Sequence, residues 1–359
     1  MIAVTGGGTG GHIFPNIAII EELRRRDVDN IIWIGTRGGT EKEFAGRLGI
    51  PFYGVRTGKL RRYFSIKNLV DIFWVFIGVI QALTLLKKLR PEVLFSKGGF
   101  VSVPPVIAAR ILRIPVVTHE SDTVPGLSTK IISRFAKVVC VGFEDTLRYF
   151  KEGRAVYTGN PIRDVIRNSD PHRGLKHLGF KNSLPVVFVV GGSLGASKIN
   201  NTVWELCDSS EAGSLKFNIV HQCGKGKRRE GLNTSNYRQY EILEDEMGDI
   251  LKASTIIVSR AGAGALNEIG FFGKPSILIP LPTSQSRGEQ INNAHYFVDK
   301  NAAILIPDEK LSSQVLMKEV SELLDKPEKL ERMGENAGKL LRDSAEREIV
   351  DIIQRFYKK

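Results

Sequence analysis

One local pattern occurs twice in this chain and restricts its fold more than any other feature: a short apolar run, a glycine-rich turn, then an amphipathic segment. Ile-Ala-Val-Thr-Gly-Gly-Gly-Thr-Gly-Gly at residues 2–11 aligns with Val-Phe-Val-Val-Gly-Gly-Ser-Leu-Gly-Ala at residues 187–196, with glycines matching at three positions. A strand feeding a glycine turn and a helix opens a Rossmann-like parallel sheet, so two such openings predict two Rossmann-like domains facing a cleft. The rhythm continues after each. Apolar runs at Ile31 to Gly35, Val93 to Ser96, Pro115 to Thr118 and Val138 to Val141 follow the first. Val186 to Val190, Phe217 to Val220, Thr255 to Ser259, Ser276 to Ile279 and Ala303 to Ile306 make up the second set. Runs of this length, bounded by Gly, Pro and charge, read as strands buried on both faces, with helices between them. The fold class is α/β, doubly wound, with the join near Thr158-Gly-Asn-Pro-Ile-Arg163 and a final amphipathic helix from Asp343 to Tyr357.

Composition supports this reading. A chain of 359 residues with 42% hydrophobic and 25% charged residues can bury a large core, which excludes disorder and collagen-like repeats. Cys140, Cys207 and Cys223 are odd in number and far apart, against a disulfide scaffold or structural zinc site. The opening Met1-Ile-Ala-Val-Thr-Gly carries no secretory signal pattern, which places the protein in the cytoplasm. The net charge of +12 is uneven: residues 1–163 hold 24 basic and 13 acidic side chains. The first half therefore faces something anionic, if the charge has a function.

The turns carry the candidate chemistry. Gly6-Gly-Gly-Thr-Gly-Gly-His12 leaves a strand for a helix, where backbone N–H groups and the helix dipole suit a phosphate. Thr9, Gly10 and Gly11 are its candidate ligand contacts, and His12 is a titratable group at its exit. The same loop satisfies G-x-G-x-x-G, a weak dinucleotide signal, and a site for NADP using Arg37 stays open beside simple turn geometry. Gly191-Gly192-Ser193-Leu-Gly-Ala196 repeats the arrangement with a hydroxyl at Ser193. Ser259-Arg-Ala-Gly-Ala263-Gly264 leads toward Glu268, which either accepts from ribose hydroxyls or caps its own helix. His119-Glu120-Ser121-Asp122 follows a strand and suits either a held general base or a helix cap. Ser96-Lys-Gly98-Gly99-Phe100-Val-Ser-Val-Pro104 is a further junction fit for an acceptor. Asp27-Val-Asp29 precedes a strand and reads as a surface turn, Glu244-Asp-Glu246 as a solvated helix start and Arg24-Arg-Arg26 as a helix end.

From Leu69 to Leu86 only Asp71, Gln81 and Thr84 interrupt apolar residues. Arg56, Lys59, Arg61, Arg62 and Lys67 precede the segment, and Lys87, Lys88 and Arg90 follow it. It is either a core helix or, through residues 56–90, a dock on an anionic membrane surface. Nothing in the sequence indicates nucleic-acid binding.

Together these residues closely resemble the MurG family of bacterial transferases, which add N-acetylglucosamine to the lipid-linked muramyl-peptide precursor of peptidoglycan. The resemblance spans nearly the whole chain: Gly-Gly-Thr-Gly-Gly-His (7–12), Lys-Gly-Gly-Phe-Val-Ser (97–102), His119-Glu120, Val-Pro-Gly-Leu (124–127) and Thr-Gly-Asn-Pro-Ile-Arg (158–163). It continues through Gly-Gly-Ser-x-Gly-Ala (191–196), Ser-Arg-Ala-Gly-Ala (259–263), Glu268, Gln290 and Asn293-Ala294. It implies a GT-B fold with residues 1–162 as an acceptor- and membrane-facing domain and 163–342 as the UDP-sugar-binding domain. Residues 343–359 would form a helix returning to the first. It implies no cofactor and no bound metal, and a peripheral location on the cytoplasmic face of the cell membrane with wall-synthesis proteins as possible partners.

Carried over residue by residue, the family's donor contacts fall on Arg163, Ser193, Ala263, Glu268 and Gln290, with Gly192 and Gly264 in the same loops. His12, Glu120 and the acceptor-side loop Gly98, Gly99 and Phe100 fall on the other half. Three positions depart from the common pattern. Ser121-Asp122 replaces Gln-Asn, Ala265 stands where Thr is frequent, and Glu289 where Gln is. The expected reaction is inverting transfer from UDP-N-acetylglucosamine to the muramyl 4-hydroxyl, with His12 as first candidate for general base and Glu120 or Asp122 next. A transferase acting on diacylglycerol, an NADP-dependent oxidoreductase and a non-catalytic membrane-associated binder are the rival readings.

Overall fold

A computed structural model describes residues 1–58, 66–192, 194–208, 215–232 and 234–357, and of residues 66–70 the backbone alone. Lys59, Arg61, Arg62, Ser193 and the side chain of Lys67, all singled out above, lie outside the described residues. The chain divides into two units, Met1–Arg163 with Arg342–Lys359, and Asp164–Leu341.

Among the described residues the first unit holds seven parallel strands: β1 (Ile2–Thr5), β2 (Ile31–Thr36), β3 (Phe52–Val55), β4 (Val93–Ser96), β5 (Val116–Glu120), β6 (Val138–Val141) and β7 (Ala155–Tyr157). Their order is β3-β2-β1-β4-β5-β6-β7. Ile2 pairs with Ile31 on one side and Val93 on the other, so β1 is central and its residues are all buried. The second unit holds β8 (Val186–Val190), β9 (Asn218–Gln222), β10 (Tyr237–Tyr240), β11 (Ile256–Ser259), β12 (Ser276–Leu278) and β13 (Ile304–Leu305), ordered β10-β9-β8-β11-β12-β13, again parallel. In each sheet the order reverses beside the first strand of the unit, between β1 and β4 and between β8 and β11. Ligand sites of open α/β sheets form outside the carboxyl ends of strands at such a switch point.

The helices of the first unit that frame the site are α1 (Gly10–Arg25), α2 (Glu41–Arg47), α3 (Ile66–Leu89), α4 (Val103–Ile111) and α5 (Leu127–Ile132). Helix α1 and the helix Ala345–Gln354 cover one sheet face, packing Ile13, Ile17, Ile20 and Leu23 with Ile349, Val350, Ile352 and Ile353. Each such aliphatic chain, fully buried, contributes about 1.5–3 kcal/mol. Arg26, just past the end of α1, pairs with Asp351 and donates to Gln354 Oε1 at 3.0 Å and to the Arg347 carbonyl at 3.1 Å. The arginine run that complements the helix dipole thus also ties α1 to residues 345–354. On the opposite face, Ala82 and Leu86 of α3 are buried with Val106 and Ala109 of α4.

Strands β3, β7 and β10, which the sequence pattern did not reveal, all lie at sheet edges. An edge strand is covered less completely, so it needs no continuous apolar run; β10 reads Tyr-Arg-Gln-Tyr, with only its alternate residues buried. Glu268 sits in the middle of the helix Ala263–Phe271, whose N-cap is Gly262, so it does not cap its own helix.

Candidate active site

In the first unit the site is built from the ends of β1, β4 and β5. The chain leaves β1 through Gly6 and Gly8, both at positive φ, and enters α1 at Gly10. Glu41, buried at the start of α2, accepts from Gly8 N–H at 3.1 Å and from Thr36 N–H at 2.7 Å, which fixes the loop from behind. The next strand end interlocks with this loop. A Cβ on Gly8 would lie 3.2 Å from the Phe100 ring, and one on Gly99 would lie 3.1 Å from His12 Nε2. Gly98 and Gly99 have φ of +84° and +77°, and Ser102 Oγ donates to the Gly98 carbonyl at 2.7 Å.

His12 Nδ1 lies 2.9 Å from Thr9 Oγ1, and the Thr9 hydroxyl makes no helix-cap hydrogen bond. If Nδ1 carries the proton and donates to Thr9, Nε2 keeps its lone pair and is the nitrogen able to accept one. Burial and then the positive charge of Lys97 push His12 down to about 3. The imidazole is therefore neutral at physiological pH.

At the end of β5 the two polar neighbours divide. His119 is fully buried and its Nε2 donates to the Gly159 carbonyl at 2.9 Å, while its Nδ1 has no partner among the described residues; burial holds it well below the usual imidazole range. Glu120 accepts from the backbone N–H of Asp122 at 3.0 Å and of Gly126 at 3.1 Å, so its carboxylate organises the turn into α5. Asp122 is partly exposed on that turn, and its carbonyl accepts from Thr146 Oγ1. Arg163 stacks over Phe14 at 4.2 Å, and Phe14 in turn lies against Gly10. His12, Thr9, Gly10, Gly99, Phe100 and Arg163 are therefore brought together.

In the second unit the loop after β8 bends through Gly192, whose carbonyl accepts from Gly195 N–H at 3.0 Å, and enters the helix Ser197–Asp208. Gly195 has φ of +67° and sits so close to the Cys223 carbonyl that a Cβ there would overlap it. Asn200 donates to that same carbonyl at 2.7 Å and faces His221 Nε2, and His221 Nδ1 lies 3.0 Å from the Tyr237 hydroxyl. The loop after β11 places Ala263 at the first turn of its helix and leaves Gly264 open to solvent. Gln290 Oε1 accepts from Leu281 N–H at 3.1 Å, and Asn293 Nδ2 donates to the Ala261 carbonyl at 3.2 Å, stitching the neighbouring loops. Glu268 and Gln290 are half-exposed.

Among the described residues no three His, Cys, Asp or Glu side chains group as metal ligands. Glu41 had no motif to mark it, and Lys97 stood in the Lys-Gly-Gly-Phe-Val-Ser motif without a role of its own.

Residues 2–141 match the glycosyltransferase family 28 N-terminal domain and residues 186–355 its C-terminal domain. The chain is 44% identical over 358 residues to the UDP-N-acetylglucosamine–N-acetylmuramyl-(pentapeptide) pyrophosphoryl-undecaprenol N-acetylglucosamine transferase of Legionella pneumophila strain Paris, covering 98% of this chain and 96% of that one. The chain belongs to the MurG family. A relative of the same description from Clostridium tetani is 40% identical, with 99% and 98% of the two chains covered. Among solved structures, MurG of Acinetobacter baumannii superposes with a TM-score of 0.75 at 26% identity over 99% of both chains, which gives the GT-B fold. A UDP-GlcNAc 2-epimerase from Neisseria meningitidis, at 14% identity and a TM-score of 0.70, shares the fold alone.

Proposed function

We propose that this chain transfers N-acetylglucosamine from UDP-N-acetylglucosamine to the 4-hydroxyl of the N-acetylmuramyl unit of undecaprenyl-pyrophosphoryl-muramyl-peptide, with inversion. The observation that carries this reading is 44% identity, sustained over 98% of the chain, to a transferase of that description. In the proposed step the 4-hydroxyl oxygen attacks the anomeric carbon, its proton passes to His12 Nε2, and the bond to the diphosphate breaks to release UDP. A neutral imidazole is the form that can take the proton. Glu120 holds the turn that presents Asp122, and Gly98, Gly99 and Phe100 line the acceptor side. In the second unit the N-terminus of the helix Ser197–Asp208 offers its N–H groups to the leaving diphosphate, and Arg163 is assigned to the donor by its family position alone. Gly192, Ser193, Ala263, Gly264, Glu268 and Gln290 complete the donor contacts, with Thr9, Gly10 and Gly11 from the first loop.

Helix α3 supports a peripheral place on the cytoplasmic face of the membrane. Asp71–Leu89 has the length and hydropathy to cross a bilayer, yet one side of it is packed on α4. The other side exposes Ile72, Phe73, Phe76 and Ile80, which share a helical face, with Lys87 and Lys88 in the last turn. Arg56 stacks over Trp74 of the same helix at 3.9 Å.

The test is UDP release from UDP-N-acetylglucosamine in detergent with EDTA, with and without a muramyl-peptide pyrophosphoryl-polyprenol acceptor. Acceptor-dependent release with a disaccharide-lipid product is the expected outcome. Release with diacylglycerol instead, or none from folded, donor-binding protein, would overturn the reading.

A further inference from the structure

Behind the glycine loop of the second unit lies a row of polar side chains sealed from solvent. Asn200 on the helix Ser197–Asp208, His221 on β9 and Tyr237 on β10 are each at most 1% exposed. Polar groups at such depth need hydrogen bonds, and here the bonds run in one direction. The Cys223 carbonyl can only accept, so Asn200 turns Nδ2 to it at 2.7 Å and is left with Oδ1 facing His221 Nε2 at 3.1 Å. An amide oxygen also only accepts, which puts the imidazole proton on Nε2. Burial pushes His221 down to about 4, so at physiological pH the ring is neutral and Nδ1 keeps its lone pair. The Tyr237 hydroxyl, 3.0 Å away, donates to it.

The carbonyl at the end of this row is the one against which the loop is seated. Gly195 lies so near the Cys223 carbonyl that a Cβ would overlap it, and a Cβ on Gly224 would lie 2.5 Å from the Leu194 carbonyl and 2.6 Å from Gly195 N. The turn is itself tied to β10 and the residue after it: Cys223 N–H donates to the Tyr240 carbonyl at 2.9 Å and Gly224 N–H to the Glu241 carbonyl at 3.0 Å. Gln222 adds a second tie, accepting from Leu243 N–H at 2.8 Å and donating to the Gly192 carbonyl at 3.4 Å. Asn200 stands in the first turn of its helix, its N–H donating to the Ala196 carbonyl at 2.8 Å. One amide side chain therefore joins the helix start, the carbonyl under the loop and the imidazole.

We propose that His221 is a positioning residue for the sugar-nucleotide donor: by donating from Nε2 it fixes the Asn200 amide, which holds the Cys223 carbonyl and with it the loop after β8 and the helix N-terminus in the arrangement that receives a diphosphate. Backbone N–H groups bind an anion well when they are already aimed at it, so a support that stops them turning contributes to donor affinity. Without the Nε2 proton the Asn200 amide loses the partner that orients it, and the carbonyl seated against Gly195 loses a fixed donor. Within this row Tyr237 reaches the loop only through His221. The inference deepens the assignment of this loop to UDP-N-acetylglucosamine and rests on it.

The experiment measures UDP binding by calorimetry and steady-state kinetics in full-length protein. In His221→Met, which cannot donate, the Kd for UDP and the KM for UDP-N-acetylglucosamine are expected to rise together by about tenfold, with kcat and the acceptor KM within about twofold of the wild type. His221→Gln keeps an N–H for Asn200 and an acceptor for Tyr237, and should restore affinity to within about twofold. Tyr237→Phe removes one hydrogen bond from the same buried row; it should lower the unfolding temperature and leave UDP affinity within about twofold. Asn200→Asp turns an acceptor toward the Cys223 carbonyl at nearly unchanged size, and its expected loss of affinity decides the matter if His221→Met fails to fold. NMR of wild-type protein isotope-labelled at the histidine ring nitrogens, with the His221 signals assigned by their loss in His221→Gln, should show Nε2 protonated and Nδ1 bare. A proton on Nδ1 instead overturns the proposal, as does wild-type affinity in folded His221→Met, or an equal loss of affinity in Tyr237→Phe, which would reduce the effect to stability. Wild-type protein that binds no UDP overturns the donor assignment and this role with it, whereas wild-type binding that His221→Met retains removes the role alone.

Discussion

Gly99 faces His12 so closely that a Cβ at that glycine would lie 3.1 Å from Nε2 and 3.2 Å from Cδ2 and Cε1. The backbone there has φ +77° and ψ 167°, a region that only glycine adopts readily. Gly99→Ala therefore strains the turn and pushes the ring. Turnover is expected to fall by about tenfold or more with UDP affinity unchanged; steady-state kinetics beside calorimetric UDP binding checks it.

His12→Ala should lower turnover at least about tenfold while leaving donor binding within about twofold, the range expected for loss of a general base. Near-normal turnover in a folded variant removes His12 from the proton transfer.

Phe73→Asp together with Phe76→Asp places charge on the exposed face of α3 without touching Ala82 or Leu86, which hold it to α4. Partitioning onto anionic vesicles should weaken by about tenfold or more, while turnover on detergent-dispersed acceptor stays within about twofold. Unchanged sedimentation with vesicles would mean that this face does not meet lipid.

How much of this was legible in the sequence depended on burial. Central strands such as β1 and β8 are covered on both faces and announce themselves as unbroken apolar runs, and the repeated glycine turns gave the doubly wound class. The edge strands β3, β7 and β10 were silent because an uncovered face relaxes the pattern. Among site residues, glycines and His12 stood out through their turn, whereas Glu41 acts from a helix on backbone that only the fold brings near. Lys97 entered only as the first residue of the Lys-Gly-Gly-Phe-Val-Ser match; its burial beside Gly6, 91 positions earlier in the chain, belongs to the fold. The sequence offered both roles for Glu120, and the two N–H bonds it accepts come from its own turn, which no spacing rule singles out.

Gly195→Ala meets two obstacles, a φ of +67° and the Cys223 carbonyl. Either the loop after β8 or the 223–224 turn must shift. Affinity for UDP-N-acetylglucosamine should drop by about tenfold or more with the second unit still folded, as isothermal titration would show.

His221 is buried between Asn200 and Tyr237, and burial alone pushes it down to about 4 from its ordinary 6.5. The unfolded chain binds this proton before the folded one, so the contribution is fully present above pH 6.5 and declines as pH falls toward 4. The slope approaches about 1.4 kcal/mol per pH unit for one extra proton. Thermal unfolding between pH 7.5 and 5 should show it, and His221→Asn should flatten the slope in this window; an equal slope in the variant would assign the proton elsewhere.

The packing of residues 345–354 against α1 also sets a timetable for synthesis. Ile13, Ile17, Ile20 and Leu23 leave the ribosome early, but the side chains that close over them are translated only after the whole of Asp164–Leu341. The second unit has all its strands in one continuous stretch and can fold while the ribosome is still translating. The first must wait with a greasy seam open, so a nascent chain stalled before residue 345 is the species most exposed to chaperones and to aggregation.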